Sequence, residues 1–155
     1  RWGGDPAALS ASGTSACAHL TSFLACRGAG EAAAPALPVR SLLLVSGIYD
    51  LDPITSSFLQ PEIALTGEEV AAWSPLSATP VPGPAVDVVV GADETLPFLT
   101  QGQAFAERLA GAGVDSRFAT LPGENHMSIA TALGTPGSPL AERLGRTIAA
   151  SRRGG

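Results

Sequence analysis

Residues able to move an acyl group stand along this chain in the order serine, acid, histidine. They are Ser15 in "SASGTSACAH", Asp93 and Glu94 in "VVVGADETL", and His126 in "LPGENHMSIA". A serine hydroxyl is a weak nucleophile until an imidazole takes its proton, and a carboxylate that orients the imidazole completes the device. Ser15 lies in Gly13-Thr14-Ser15-Ala16-Cys17, one residue away from the G-x-S-x-G pattern. In that pattern a tight strand-to-helix turn lifts the serine clear of the backbone. The turn asks for small residues two before and two after the serine. Gly13 meets the first demand, whereas Cys17 brings a side chain to the second, which is tolerable if the helix stands slightly further from the neighbouring strand. The N–H of Ala16, directly after the serine, is the natural donor to a developing oxyanion. The other histidine, His19, follows Ser15 by four residues and reads as a helix residue hydrogen-bonded within the fold.

These residues need a scaffold, and hydrophobic periodicity supplies one. Residues 9–12 form a short strand ending at Gly13, and residues 16–26 carry Leu20, Phe23 and Leu24 at helical spacing. "RGAGEAAAPALP" has the composition of a linker. The apolar runs 42–45 and 86–90 predict strands buried on both faces, with a Pro-punctuated excursion between them that holds one acidic helix over 67–73. Residues 98–113 form a helix with Gly111 and Gly113 as stop signals. Residues 117–121 make a weaker strand, and a helix over 139–150 opens on a Ser138-Pro139 cap. Strand and helix alternate throughout, which predicts a parallel α/β sheet with right-handed crossovers. In such sheets the working groups collect at the carboxyl ends of the strands. Ser15, the Asp93-Glu94 pair and the loop holding His126 each follow a predicted strand.

Composition narrows the setting. At 155 residues, 45% apolar, the chain is long enough for one domain with a core. A net charge of −5 and nine basic residues, all Arg, leave no basic stripe for nucleic acid. No apolar run approaches the ~20 residues that span a bilayer. Cys17 and Cys26 match neither a metal knuckle nor a CxxC pair, so two reduced thiols in a cytoplasmic protein are expected. Neither a metal nor a cofactor is expected. Asp50 reads as a turn carboxylate, Glu68 and Glu69 as a solvated helix face, and Asp5-Pro6 as a turn. Phe58 and Trp73 are open to two roles, lining an aromatic-substrate pocket or packing in the core.

Five stretches together carry a family resemblance: "GGDPAALSASGTSACAHL", "LLLVSGIYDLDPI", "LQPEIALTGEEVAAWSPL", "VVVGADETLPFLTQGQAFAERL" and "LPGENHMSIA". The first resembles the nucleophile turn of α/β hydrolases, and the set resembles the kynurenine formamidase (arylformamidase) branch over nearly the whole chain. The resemblance implies hydrolysis of N-formylkynurenine to kynurenine and formate without metal or cofactor. Carried over by position, it puts the nucleophile on Ser15, the base on His126 and the acid on Glu94, aligned through Gln101, with Asp93 as the alternative. Two departures stand out, Thr14 where the family usually has His and Cys17 where it has Gly. An "HGG" segment, which in that family supplies the second oxyanion donor, does not occur in the sequence.

The family fold resembles eight strands, against about four here. The expectation is therefore a single partial domain over residues 1–155, the C-terminal half of an α/β-hydrolase fold, with the strand at 9–12 an uncovered edge and the isolated chain unstable. Small-molecule substrate is the expected partner, with homo-oligomerisation or a missing N-terminal half to complete the fold, and no nucleic acid or membrane. The functional expectation is a serine hydrolase of N-formyl aromatic amides or small esters. A general carboxylesterase and an inactive fragment serving as a binding module are the alternatives.

Overall fold

The structure is a computed structural model that describes residues 4–28 and 37–152. Its first strand, β1 (Leu9–Thr14), meets the first helix, α1 (Ala16–Ser22), through Ser15 alone. A two-residue strand, β2 (Cys26–Arg27), follows, and then β3 (Val39–Val45). The excursion comprises a 3₁₀ turn at Asp52–Ser56 and two short helices, α2 (Gln60–Ile63) and α3 (Gly67–Trp73). After it come β4 (Thr79–Pro80), β5 (Ala85–Gly91), α4 (Leu96–Gly111), β6 (Ser116–Leu121), α5 (His126–Leu133) and α6 (Pro139–Ser151).

The four long strands form one parallel sheet in the order β1-β3-β5-β6. Strand β3 shows why both faces must be covered. Successive side chains of a strand point to opposite faces, and Leu42, Leu43, Leu44 and Val45 are all buried. Leu42 and Leu44 join Val86 and Val88 in a core under α1 and α4, with Ala18, Phe105 and Leu109. Leu43 and Val45 join Val89 on the other face, beneath Ile129 of α5 and Leu140 of α6. Each such leucine or valine contributes roughly 1.5–3 kcal/mol when removed from water. The expected parallel α/β sheet, flanked by helices on both faces, is what the chain forms.

Helix α6 is also held by polar contacts to the strands beneath it. Arg143 Nη1 donates to both oxygens of Asp87 on β5, at 3.0 and 2.9 Å. Ser41 on β3 donates to the Thr147 carbonyl at 2.7 Å, and Ser151 donates to the Ala8 carbonyl at 3.1 Å. These bonds fix one end of the layer away from the candidate site.

Several elements differ from the sequence reading. The helix expected over 16–26 stops at Ser22, where Phe23, Leu24 and Ala25 close tight turns onto Leu20, Thr21 and Ser22. The Ser22 hydroxyl bonds back to the His19 carbonyl, a local competition that suits a helix end. Cys26 then enters β2, which pairs antiparallel with β4, a small sheet that two-residue strands do not announce by periodicity. Most of the linker-like segment, residues 29–36, lies outside the described residues. The loop expected around His126 is instead the start of α5, because Asn125 caps it: its side chain accepts the N–H groups of Met127 and Ser128 at 2.9 and 3.0 Å, while Ser128 Oγ accepts the Asn125 N–H.

The small polar readings find places. Asp5 Oδ1 accepts the Ala7 N–H, Asp50 Oδ1 accepts the Asp52 N–H, and Ser138 Oγ caps α6 by accepting the Ala141 N–H. Glu68 is exposed, and Glu69 completes a capping box with Thr66 at the start of α3. The backbone N–H and hydroxyl of Thr66 hold the Glu69 carboxyl below its usual value.

Candidate active site

Ser15 is held in a conformation that L-residues rarely adopt, φ 56° and ψ −123°, between the end of β1 and the first residue of α1. Its N–H donates to the Val45 carbonyl at 2.9 Å, which ties the turn to the neighbouring strand, and its carbonyl starts the helix by accepting from Ala18 and His19. The space demanded by this turn falls on Gly13, where a Cβ would run into the Cys17 carbonyl and lie 2.7 Å from the Ala18 nitrogen. Cys17 itself is exposed, with its thiol free. The second small-residue position is therefore less demanding here than the first. As the opening residue of α1, Ala16 has an N–H that bonds to no acceptor among the described residues.

The structure brings Ser15, His126 and Glu94 into one chain of contacts. His126 Nε2 is 3.0 Å from Ser15 Oγ, and His126 Nδ1 is 2.7 Å from Glu94 Oε2. A carboxylate only accepts, so the proton on Nδ1 points at Glu94, which leaves the Nε2 lone pair for the serine hydroxyl. Phe98 from α4 covers the imidazole, ring centroids 4.4 Å apart at 36°. The Glu94 side chain is completely buried, while the His126 side chain keeps 32% of its exposure.

Glu94 turns inward because the chain folds back at Gly91. The Glu94 N–H donates to the Gly91 carbonyl at 3.2 Å, and the Gly91 N–H returns a bond to Glu94 Oε1 at 2.9 Å. A second donor to Oε1 is the hydroxyl of Ser46, a buried residue at the end of β3 with φ 51°. A Cβ on Gly91 would collide with the Glu124 carbonyl, so the loops after β5 and β6 close on each other only because that side chain is absent. Ala92 N–H to Leu121 carbonyl (2.8 Å) and Asp93 N–H to Glu124 carbonyl (3.0 Å) stitch the two loops together.

Asp93, the alternative acid, is exposed and its carboxylate bonds to nothing among the described residues; only its backbone joins the stitch. Ser46 was not singled out from the sequence, where a serine ending an apolar run carries no pattern of its own. Gln101 holds the loop after β3, its Oε1 accepting the Tyr49 and Asp50 N–H groups at 2.8 and 2.9 Å. His19 is bonded within the fold, Nε2 to the Trp73 carbonyl at 2.8 Å. This bond and the edge-on contacts of Phe23 with His19 and Trp73 fasten α3 to α1. Trp73 stays 49% exposed and Phe58 87% exposed, so neither is a core residue. Among the described residues no group of His, Cys, Asp and Glu is arranged to hold a metal ion, and no helix is long and apolar enough to cross a membrane.

No family model matches the chain. A kynurenine formamidase of Danio rerio is 30% identical over 96 residues, which is 59% of this chain and 33% of that protein. Among solved structures, a candidate thioesterase from Silicibacter sp. superposes with a TM-score of 0.69 at 22% identity, covering 89% of this chain and 49% of that one. Esterase 2 of Thermogutta terrifontis gives 0.64 at 18% identity, covering 97% and 55%. An arylesterase gives 0.62 at 20% identity, covering 96% and 52%. The chain thus shares its fold with α/β-hydrolase esterases. It spans a third of the curated relative and about half of these solved structures.

Proposed function

We propose that the chain carries the site of a serine hydrolase in which Ser15 is the nucleophile, His126 the general base and Glu94 the acid that orients it. The reading is carried by the contact chain from Ser15 Oγ through His126 to Glu94. In the first step His126 Nε2 takes the Ser15 proton as Oγ attacks a carbonyl carbon, and the ring, now cationic, is offset by the Glu94 carboxylate. The carbonyl oxygen becomes an oxyanion, towards which the Ala16 N–H contributes one hydrogen bond. His126 then returns the proton to the departing amine or alcohol, leaving an acyl-serine. Water, deprotonated by the same imidazole, releases the acid and restores Ser15.

For substrate, we propose an N-formyl amide of an aromatic amine of the N-formylkynurenine type. Support comes from the sequence likeness to the formamidase of Danio rerio. Small carboxylic esters are the second reading, favoured by the likeness in fold to esterases. The same three residues serve both, because amide and ester cleavage share the acyl-enzyme. An inactive chain acting as a binding module would keep the fold and lose the reactivity.

A fluorophosphonate probe tests the nucleophile. Labelling is expected in the chain, lost in Ser15→Ala, strongly slowed in Glu94→Gln and retained in Asp93→Asn. A folded sample that takes no label, or Ser15→Ala that labels equally, would sink the hydrolase reading. Rates on N-formylkynurenine and p-nitrophenyl acetate then separate formamidase from esterase.

A further inference from the structure

The acid of the site has a partner that no motif identifies. Ser46 is fully buried at the carboxyl end of β3, and its N–H donates to the Val89 carbonyl on β5 at 2.8 Å. Its φ of 51° lies where glycine is at ease and other residues are strained. Glycine would follow this backbone path without cost, yet the residue here has a hydroxyl, and that hydroxyl bonds to Glu94 Oε1. Oε1 also receives the Gly91 N–H at 2.9 Å. With Oε1 clamped by two donors from adjacent strands, the carboxylate can rotate little, and Oε2 is left 2.7 Å from His126 Nδ1.

We infer that Ser46 is a positioning residue: it clamps Oε1 of Glu94 and thereby aims Oε2 at His126. The inference rests on the serine-hydrolase reading for its effect on rate, but not for its geometry. Ser46 touches neither the substrate carbonyl nor the imidazole; it acts through Glu94. A buried carboxylate that loses one of two clamping donors gains a range of orientations in which the His126 ring is aimed less well at Ser15.

The test uses Ser46→Gly and Ser46→Ala in the chain, each alone and combined with Glu94→Gln. Three readouts are taken: melting temperature, the rate of fluorophosphonate labelling at Ser15, and the proton resonance of His126 Nδ1–H. Ser46→Gly relieves the backbone strain and so offsets part of the lost hydrogen bond. Its melting temperature is therefore expected to fall less than that of Ser46→Ala, while labelling slows about ten- to a hundredfold, the loss typical of one hydrogen bond to a charged group. The Nδ1–H resonance should move in both single variants. In the Glu94→Gln background neither substitution should slow labelling further, because the group through which Ser46 acts is gone. Wild-type labelling with an unmoved resonance in Ser46→Gly would overturn the proposal, as would an equal loss in both backgrounds or a lost cooperative melt in both variants. If the wild-type chain takes no label, the hydrolase reading fails, and the resonance alone decides whether Ser46 aims Glu94 at His126.

Discussion

Tyr49 is the chain's single tyrosine, and it is wholly buried, stacked on Phe105 with ring centroids 4.3 Å apart. Its hydroxyl has no hydrogen-bond partner among the described residues, and burial raises its pKa far above the usual value. The neutral phenol therefore belongs to the folded state. A raised folded pKa means that this contribution is complete below the unfolded value near 10 and is lost as pH climbs towards the folded one. Tyr49→Phe is expected to leave stability at neutral pH unchanged or higher by about 1 kcal/mol, since an unpaired buried hydroxyl is removed. It should also flatten the alkaline loss of stability, which urea titrations at neutral and alkaline pH would measure. A steeper alkaline loss in the variant would contradict this account. At this scale the sequence was most informative where side-chain type itself signals chemistry. Type and order point to Ser15 and His126, whereas Asp93 and Glu94 are neighbours in one loop. Only the fold-back at Gly91 decides which of the two turns inward. Ser46 was invisible because its meaning lies in a backbone angle and a partner 48 positions away.

Helix α5 shows how an element can serve a single residue. His126 is its first residue, so the cap at Asn125 fixes the backbone from which the imidazole projects. Asn125→Ala is expected to cost about 1 kcal/mol, the ordinary worth of a lost cap. Labelling of Ser15 should slow with it, whereas Asn125→Asp, which can still accept from Met127 and Ser128, should retain both. Melting curves and labelling rates check the pair, and an Asn125→Ala variant as fast as wild type would show that α5 does not aim the ring. The strands β3 and β5 and helix α4 were legible because continuous apolar runs and helical spacing survive any arrangement of neighbours. Helix α5 is hard to read from sequence because its eight residues follow a Pro-Gly-Glu stretch with the composition of a loop, and only the short Asn-x-x-Ser box marks its start. The over-long reading of α1 and the missed pairing of β2 with β4 share a cause: short segments whose state is settled by tertiary contact and not by local preference.

At the scale of the molecule, the alternation of strands and helices was enough to give a parallel sheet with two covered faces. What alternation could not supply is the way its two edges differ. Edge strand β6 carries Arg117, whereas β1, "LSASGT", has neither charge nor proline, and Leu9 on it is 42% exposed. An uncharged edge invites pairing with another strand. Leu9→Lys is expected to lower self-association in sedimentation or light scattering without lowering the melting temperature; association unchanged by the lysine would place the contact elsewhere. The loops after β5 and β6 add a property of another kind. Because Ala92 and Asp93 are bonded to Leu121 and Glu124, and Gly91 leaves room for the Glu124 carbonyl, acid and imidazole ride on one stitched piece of chain. Ser15 is joined to the neighbouring strand through its N–H to the Val45 carbonyl. Were the proposed chemistry grafted onto another sheet, residues 91–95 and 121–128 would have to move as one cassette together with Ser46, whose hydroxyl bonds to Glu94 from β3, while the serine turn could be exchanged by itself.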